Sequence, residues 1–168
     1  MFIIDVIKKE NAKGELKVLY KMIEKSLGFV PPHFELFATI DIEAMKEFAA
    51  YNQKMLTHKT IDKNLLPYLR LEIAKRECRD YCINFNTKMT SKMQHENKTY
   101  KKEQELLLSK VLKGIYETDL FNEDDLSELV LHGFSHKDYF DLLLYATNFM
   151  AKSKMIEVYT KKKASCKS

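Results

Sequence analysis

Two thiols, Cys78 and Cys82, stand four residues apart in the segment RECRDYCINFN, with Arg79 and Tyr81 between them and Asn86 four residues further on. A thiolate attacks peroxides and disulfides, so a working site of this kind must lower a cysteine pKa from about 8.5. Arg79 supplies a permanent cation beside both sulfurs, and Asp80 opposes it. A helix start near the pair would add unpaired N–H groups that favour an anion. Asn86 can hydrogen-bond but takes up no proton near neutral pH, and a positioned general base typically contributes about 10²–10⁴ in rate. Glu72 and Glu77 are the carboxylates close enough in sequence to stand in as that base.

Geometry decides whether the two sulfurs can meet. Side chains four apart on a regular helix have Cβ atoms about 5–6 Å apart, whereas a disulfide needs about 3.5–4.5 Å. A bend near Glu77–Arg79 would close the gap. The opposing reading is structural. Cysteine is among the most buried residue types, and Cys78, Cys82, Phe85, Met89 and Met93 fall on one apolar face of a single helix. Tyr81 either donates to a bound substrate or packs its ring on Phe85 one turn on.

Other candidates carry less. His132 and His136 have the spacing of two metal ligands on one helix, but Gly133 and the helix-capping Ser135 between them break that face, so no metal site is expected. His33, after the double proline, reads as a turn-exposed histidine, with a substitute base for the thiols as the alternative. Cys166 sits in a lysine-rich tail, exposed and oxidisable.

Helices must position these residues. The chain has 168 residues, only four glycines and three prolines, and little β-branched alternation, so a globular, mostly helical protein is expected. Leu16, Leu19, Tyr20, Ile23 and Leu27 share a helical stripe that Gly28 ends. Phe29-Val30-Pro31-Pro32 forces an extended turn, followed by a short helix around Phe34–Ile40. Asp41 caps a helix burying Met45, Phe48, Ala49 and Leu56. A helix starting after Asn64 leaves Pro67 in its first turn, where a missing N–H costs little. Thr99 caps a further helix carrying Leu108, Val111, Leu112 and Ile115. Asn122 with Asp125 opens another that stops at Gly133, and Ser135 with Asp138 opens the last. Tyr139, Phe140, Leu142, Leu143, Leu144, Tyr145, Phe149 and Met150 surround that last helix on most sides, so it is expected to be buried by neighbours or by another subunit. One domain over 1–160 is expected, with a basic tail over 161–168.

The net charge of +4 is spread over the chain except for that tail. No concentrated basic stripe with stacking groups appears, so nucleic acid is not an expected partner. The opening MFIIDVIKKE lacks the features of a secretory signal, and Tyr139–Ala151 is too short and too polar to span a bilayer. A cytoplasmic protein with reduced thiols and no membrane partner is the expectation.

Four segments in this order and spacing resemble the alkylhydroperoxidase D-like, or carboxymuconolactone decarboxylase, superfamily. They are AKGELKVLYKMIEKSLGFVPPHFELFATI, DKNLLPYLRLEIAKRECRDYCINFN, the helix Gln104–Tyr116, and LSELVLHGFSHKDYFDLLLYATNF. The resemblance implies an all-α, AhpD-like bundle of about seven to eight helices. The family's reactive pattern is a glutamate, eleven residues, Cys-x-x-Cys, three residues and a histidine. Matching Tyr81-Cys82 to it puts Cys82 at the second cysteine, Arg79 at the first, Asn86 at the histidine and Pro67 at the glutamate, with Cys78 one residue early.

The resemblance thus implies a thiol-dependent peroxidase or disulfide reductase acting on a small hydroperoxide or disulfide. Cys82 is the nucleophile and Cys78 the resolving thiol, Arg79 steadies the thiolate, and Tyr81 and Asn86 line the pocket. An external dithiol supplies electrons, no cofactor or metal is needed, and a homo-oligomer is expected. The alternatives are a catalytically degenerate member serving as an interaction or ligand-binding module, and a carboxymuconolactone decarboxylase-type lyase.

Overall fold

The computed structural model describes residues 2–161; the rest of the basic tail, including Cys166, lies outside the described residues. Among the described residues there are eight α-helices: α1 (Gly14–Leu27), α2 (Pro32–Ile40), α3 (Ile42–Leu56), α4 (Leu65–Arg76), α5 (Asp80–His95), α6 (Gln104–Tyr116), α7 (Glu123–Leu131) and α8 (His136–Tyr159). The fold is all-α, and its only strand-like feature there is a single bridge between Phe2 and Thr160. The chain forms two compact units, residues 2–53 with 158–161, and Lys54–Glu157.

In the first unit, α1 buries Tyr20 and Ile23 against Ala38 and Met45, with Leu16, Leu19 and Leu27 packed around them. Gly28 ends α1 in the left-handed conformation, at φ 84°. The double proline acts differently from expectation. Pro31 is the extended N-cap and Pro32 is the first residue of α2, where its missing N–H is harmless. Asp41 caps α3 as expected, its Oδ1 accepting from the N–H groups of Glu43 and Ala44 at 3.0 Å each. His33 is not turn-exposed. It is 8% exposed on α2, tilted against the Phe34 ring at 4.6 Å.

The second unit carries the thiols. Its core is Leu65, Leu66, Leu69 and Ile73 of α4 with Leu107 and Val111 of α6, Leu129 of α7 and Leu142 of α8. α4 packs on α5 and α6, and α6 on α7. α4 starts after Asn64 with Pro67 in its first turn. Thr99 does not start α6; the helix begins at Gln104, because Asp62 takes the Lys101 N–H and the chain stays in a turn until then. Asn122 and Asp125 form the capping box of α7, and Ser135 with Asp138 caps α8. One apolar expectation fails, since Leu56 is 40% exposed. Within the chain α8 buries one face only, leaving Phe140 59% exposed.

Candidate functional site

The chain between α4 and α5 reverses in a Schellman motif. The Arg79 N–H donates to the Ala74 carbonyl at 2.9 Å, and the Cys78 N–H to that of Lys75 at 3.1 Å. This motif needs a left-handed residue just past the helix end, usually glycine, and here it is Cys78 at φ 52°. Cys78 is therefore an exposed turn residue and does not share a helical face with Cys82. The single long helix expected through both thiols is two helices, broken at Glu77–Arg79, where a bend had been the condition for the sulfurs to meet.

Cys82 is the third residue of α5 and lies on a buried stripe with Asn86 and Thr90. Phe85, Met89 and Met93 are only half-buried, so the inward face of α5 is more polar than the apolar spacing implied. Cys82 is 3% exposed. Burial pushes its thiol up to about 11; Arg70 and Arg79 pull the other way, and Glu157 adds to the rise. A helix start and two guanidinium groups do not offset the lost water.

The Asn86 amide is engaged at both ends. Its side-chain Nδ2 donates to the Cys82 carbonyl at 2.8 Å, and its Oδ1 accepts from Arg70 Nε at 2.8 Å. Arg70 also donates through Nη1 to the Tyr145 hydroxyl. Sequence reasoning missed Arg70 and Glu157, and read Tyr145 only as part of the apolar surround of the last helix. The signal for Arg70 was present: an arginine inside LLPYLRLEIA, a run whose neighbours are buried on nearly every side, must have a partner. Nothing in the sequence marks Tyr145 or Glu157.

Arg79 pairs with Glu157 of α8 and, at 3.3 Å, with Glu77, while its buried Nε has no hydrogen-bond partner. Glu77 is thus tied to Arg79, and Glu72 to Lys75 at 2.9 Å, so both carboxylates proposed as substitute bases are engaged with cations. Tyr81 stacks on Phe85 with ring centroids 6.3 Å apart. His132 closes α7 and His136 opens α8, so the two do not share a helix. Among the described residues no group of three potential metal ligands comes together, and no helix is long and apolar enough to cross a membrane.

This architecture has solved counterparts. The chain is similar to an alkylhydroperoxidase AhpD core, an uncharacterized peroxidase-related protein from Ralstonia eutropha JMP134, with a TM-score of 0.74 and 18% identity over 93% of this chain and 88% of that one. An uncharacterized peroxidase-related protein from Silicibacter sp. TM1040 matches with a TM-score of 0.71 and 16% identity, over 96% of this chain and 88% of that one. The fold is thereby AhpD-like. No family model matches the sequence, and no curated protein matches it.

Proposed function

We propose that this chain is a divergent AhpD-like protein that keeps the fold without peroxide chemistry, a non-enzymatic helical module in which Cys82 is a protected thiol. The observation that carries the reading is the state of that sulfur: 3% exposed, with its pKa raised to about 11. Asn86 stands where the resemblance puts the histidine, and its amide is occupied at both ends. Pro67 stands at the glutamate position and brings no carboxylate. A nucleophile needs a base that removes its proton and later protonates the leaving oxygen, and neither position supplies one. The same deficit weighs against a decarboxylase-type lyase. Turnover of hydrogen peroxide or an organic hydroperoxide with a dithiol donor at pH 7 tests the reading. Rates equal for the native protein and Cys82→Ser are expected, and a loss of turnover specific to Cys82→Ser would refute it.

A second reading has one observation in its favour: both Arg70 and Arg79 act on Cys82 to lower its pKa, at the first turn of α5. On opening of the site, the Cys82 thiolate would attack a hydroperoxide oxygen, leaving a sulfenic acid and releasing an alcohol. Cys78 would condense with that sulfenic acid to a disulfide and water, and an external dithiol would reduce the disulfide. Intact mass after mild peroxide separates the readings. Loss of two hydrogens, abolished by Cys78→Ser, supports the second, and no change supports the first. The homo-oligomer expected of the fold draws support from exposed Phe140 and Leu144 on α8, and light scattering of a Phe140→Ser variant checks it.

A further inference from the structure

Away from the thiols, the second unit holds an open cleft of about 260 Å³ lined by Leu56, the loop 58–63, Lys101 and Gln104. Three side chains are spent on fixing the loop's shape. His58 Nδ1 accepts from the N–H groups of Thr60 and Ile61 at 3.2 and 3.1 Å, so its ring proton sits on Nε2, which faces Asp141 at 3.2 Å. Gln104, only 5% exposed, accepts from the Asp62 N–H and donates to the Thr60 carbonyl, both at 3.1 Å. Asp62 accepts from the N–H groups of Asn64 and Lys101 at 2.9 and 3.2 Å. Ile61 is buried beneath. The wall of the cleft is therefore preorganised, which lowers the cost of binding.

Its charge is unbalanced. Lys59, Lys63 and Lys101 line the cleft, and none has an acceptor among the described residues. Asp62, the one carboxylate lining it, has both oxygens committed to backbone N–H groups. Asp141 is paired with Lys137 and His58, and Asp138 with Ser135. Three lysines against one carboxylate give the cleft a net positive charge, which favours an anion. The volume is below the roughly 300 Å³ at which drug-sized pockets begin.

The geometry points to this cleft as a binding site for a small, soluble phosphate-bearing dianion, a phosphate monoester, held by Lys59, Lys63 and Lys101. It is separate from the thiol site and does not depend on the reading given to Cys82.

Titrating the full-length, isotope-labelled protein with inorganic phosphate at constant ionic strength, followed by amide NMR, tests it. Saturable shifts confined to residues 56–64 and 101–104 are expected. Lys63→Gln/Lys101→Gln should weaken binding at least about fivefold while leaving the melting temperature unchanged, since both lysines are exposed. Lys59→Gln alone should weaken it less. Shifts that never saturate, that spread equally over other surface lysines, or that persist at full affinity in the double variant overturn the proposal. So does tighter binding of succinate than of phosphate, or binding to phosphatidic acid vesicles with none to free phosphate.

Discussion

In a Cys78→Ser/Cys166→Ser variant, Cys82 is the sole thiol left in the chain, and its alkylation rate reads its ionisation directly. Burial holds that thiol at about 11. Four pH units above neutrality, about one molecule in 10⁴ carries the thiolate at pH 7, against about three in 100 for an ordinary cysteine near 8.5. Ionisation alone slows the reaction about 300-fold. A more basic thiolate is intrinsically more nucleophilic, and a Brønsted slope of about 0.4–0.5 returns about tenfold of this. The net deficit is about 30-fold before restricted access is counted. Iodoacetamide alkylation followed by intact mass from pH 7 to 10, against the same variant in denaturant, measures it. The folded rate should still be climbing at pH 10, and the folded-to-unfolded ratio at pH 7.5 should lie below about one in 20. A plateau with a midpoint near or below 8.5 would sink the argument, because the sulfur would then be ionised despite its burial.

Glu157→Gln should move the same pH–rate curve downward, since Glu157 both raises the Cys82 pKa and occupies Arg79; Arg79→Gln should move it upward. Cys78→Gly should stabilise the protein by about 0.5–1 kcal/mol in urea unfolding, because the left-handed position at the end of α4 suits glycine and strains a residue with a Cβ. Gly114→Ala should destabilise by about 1–3 kcal/mol despite alanine's better helix propensity, because its Cβ would meet the Tyr139 hydroxyl at 2.2 Å. The Asp125 carboxyl is held well below the usual carboxylate range by Lys110 first, then Lys113, then the Asn122 N–H. A depressed folded pKa gives stability that is complete above the unfolded value and lost as pH falls through the folded one. The difference between native protein and Asp125→Asn should therefore be constant from about pH 5 to 8 and shrink below about pH 4, as urea melts at several pH values will show.

Where a side chain signals its own local role, the sequence was readable. Gly28, Asp41, Pro67, Asn122 with Asp125, and Ser135 with Asp138 each mark a helix end through a cap or a missing N–H, and each does so in the structure. Cys78 misled because cysteine is not the usual left-handed residue. A Schellman turn written with glycine would have announced the break, whereas a thiol in an apolar rhythm continued the helix on paper. Thr99 misled for a tertiary reason, since Asp62, far back in the chain, holds the Lys101 N–H and delays α6. Phe140 and Leu144 show the limit of hydrophobic count: the same composition fits a helix buried all round and one with an uncovered face. At the thiol site the sequence placed Cys82 and Asn86 one turn apart but could not say what Asn86 binds, because Arg70 reaches it from α4 and is itself held by Tyr145 of α8.

The contact between Asn86 and Arg70 ties the chemistry open to position 86 to the stability of the fold. Arg70, partly buried within the apolar run of α4, needs acceptors for its donors, and hydrogen bonds to a charged group contribute about 1.5–3 kcal/mol each. The Asn86 Oδ1 and the Tyr145 hydroxyl are those acceptors. A side chain at position 86 that offered a lone pair to the Cys82 thiol would have to withdraw it from Arg70. A histidine there has one acceptor nitrogen when neutral, and Arg70 would claim it first. Placing a proton acceptor beside Cys82 therefore requires changing position 70 as well as position 86. Mutual dependence of this kind makes a closed thiol site stable to single substitutions, whereas the helical scaffold, built from Leu65, Leu69, Ile73, Leu107 and Leu142, is indifferent to it.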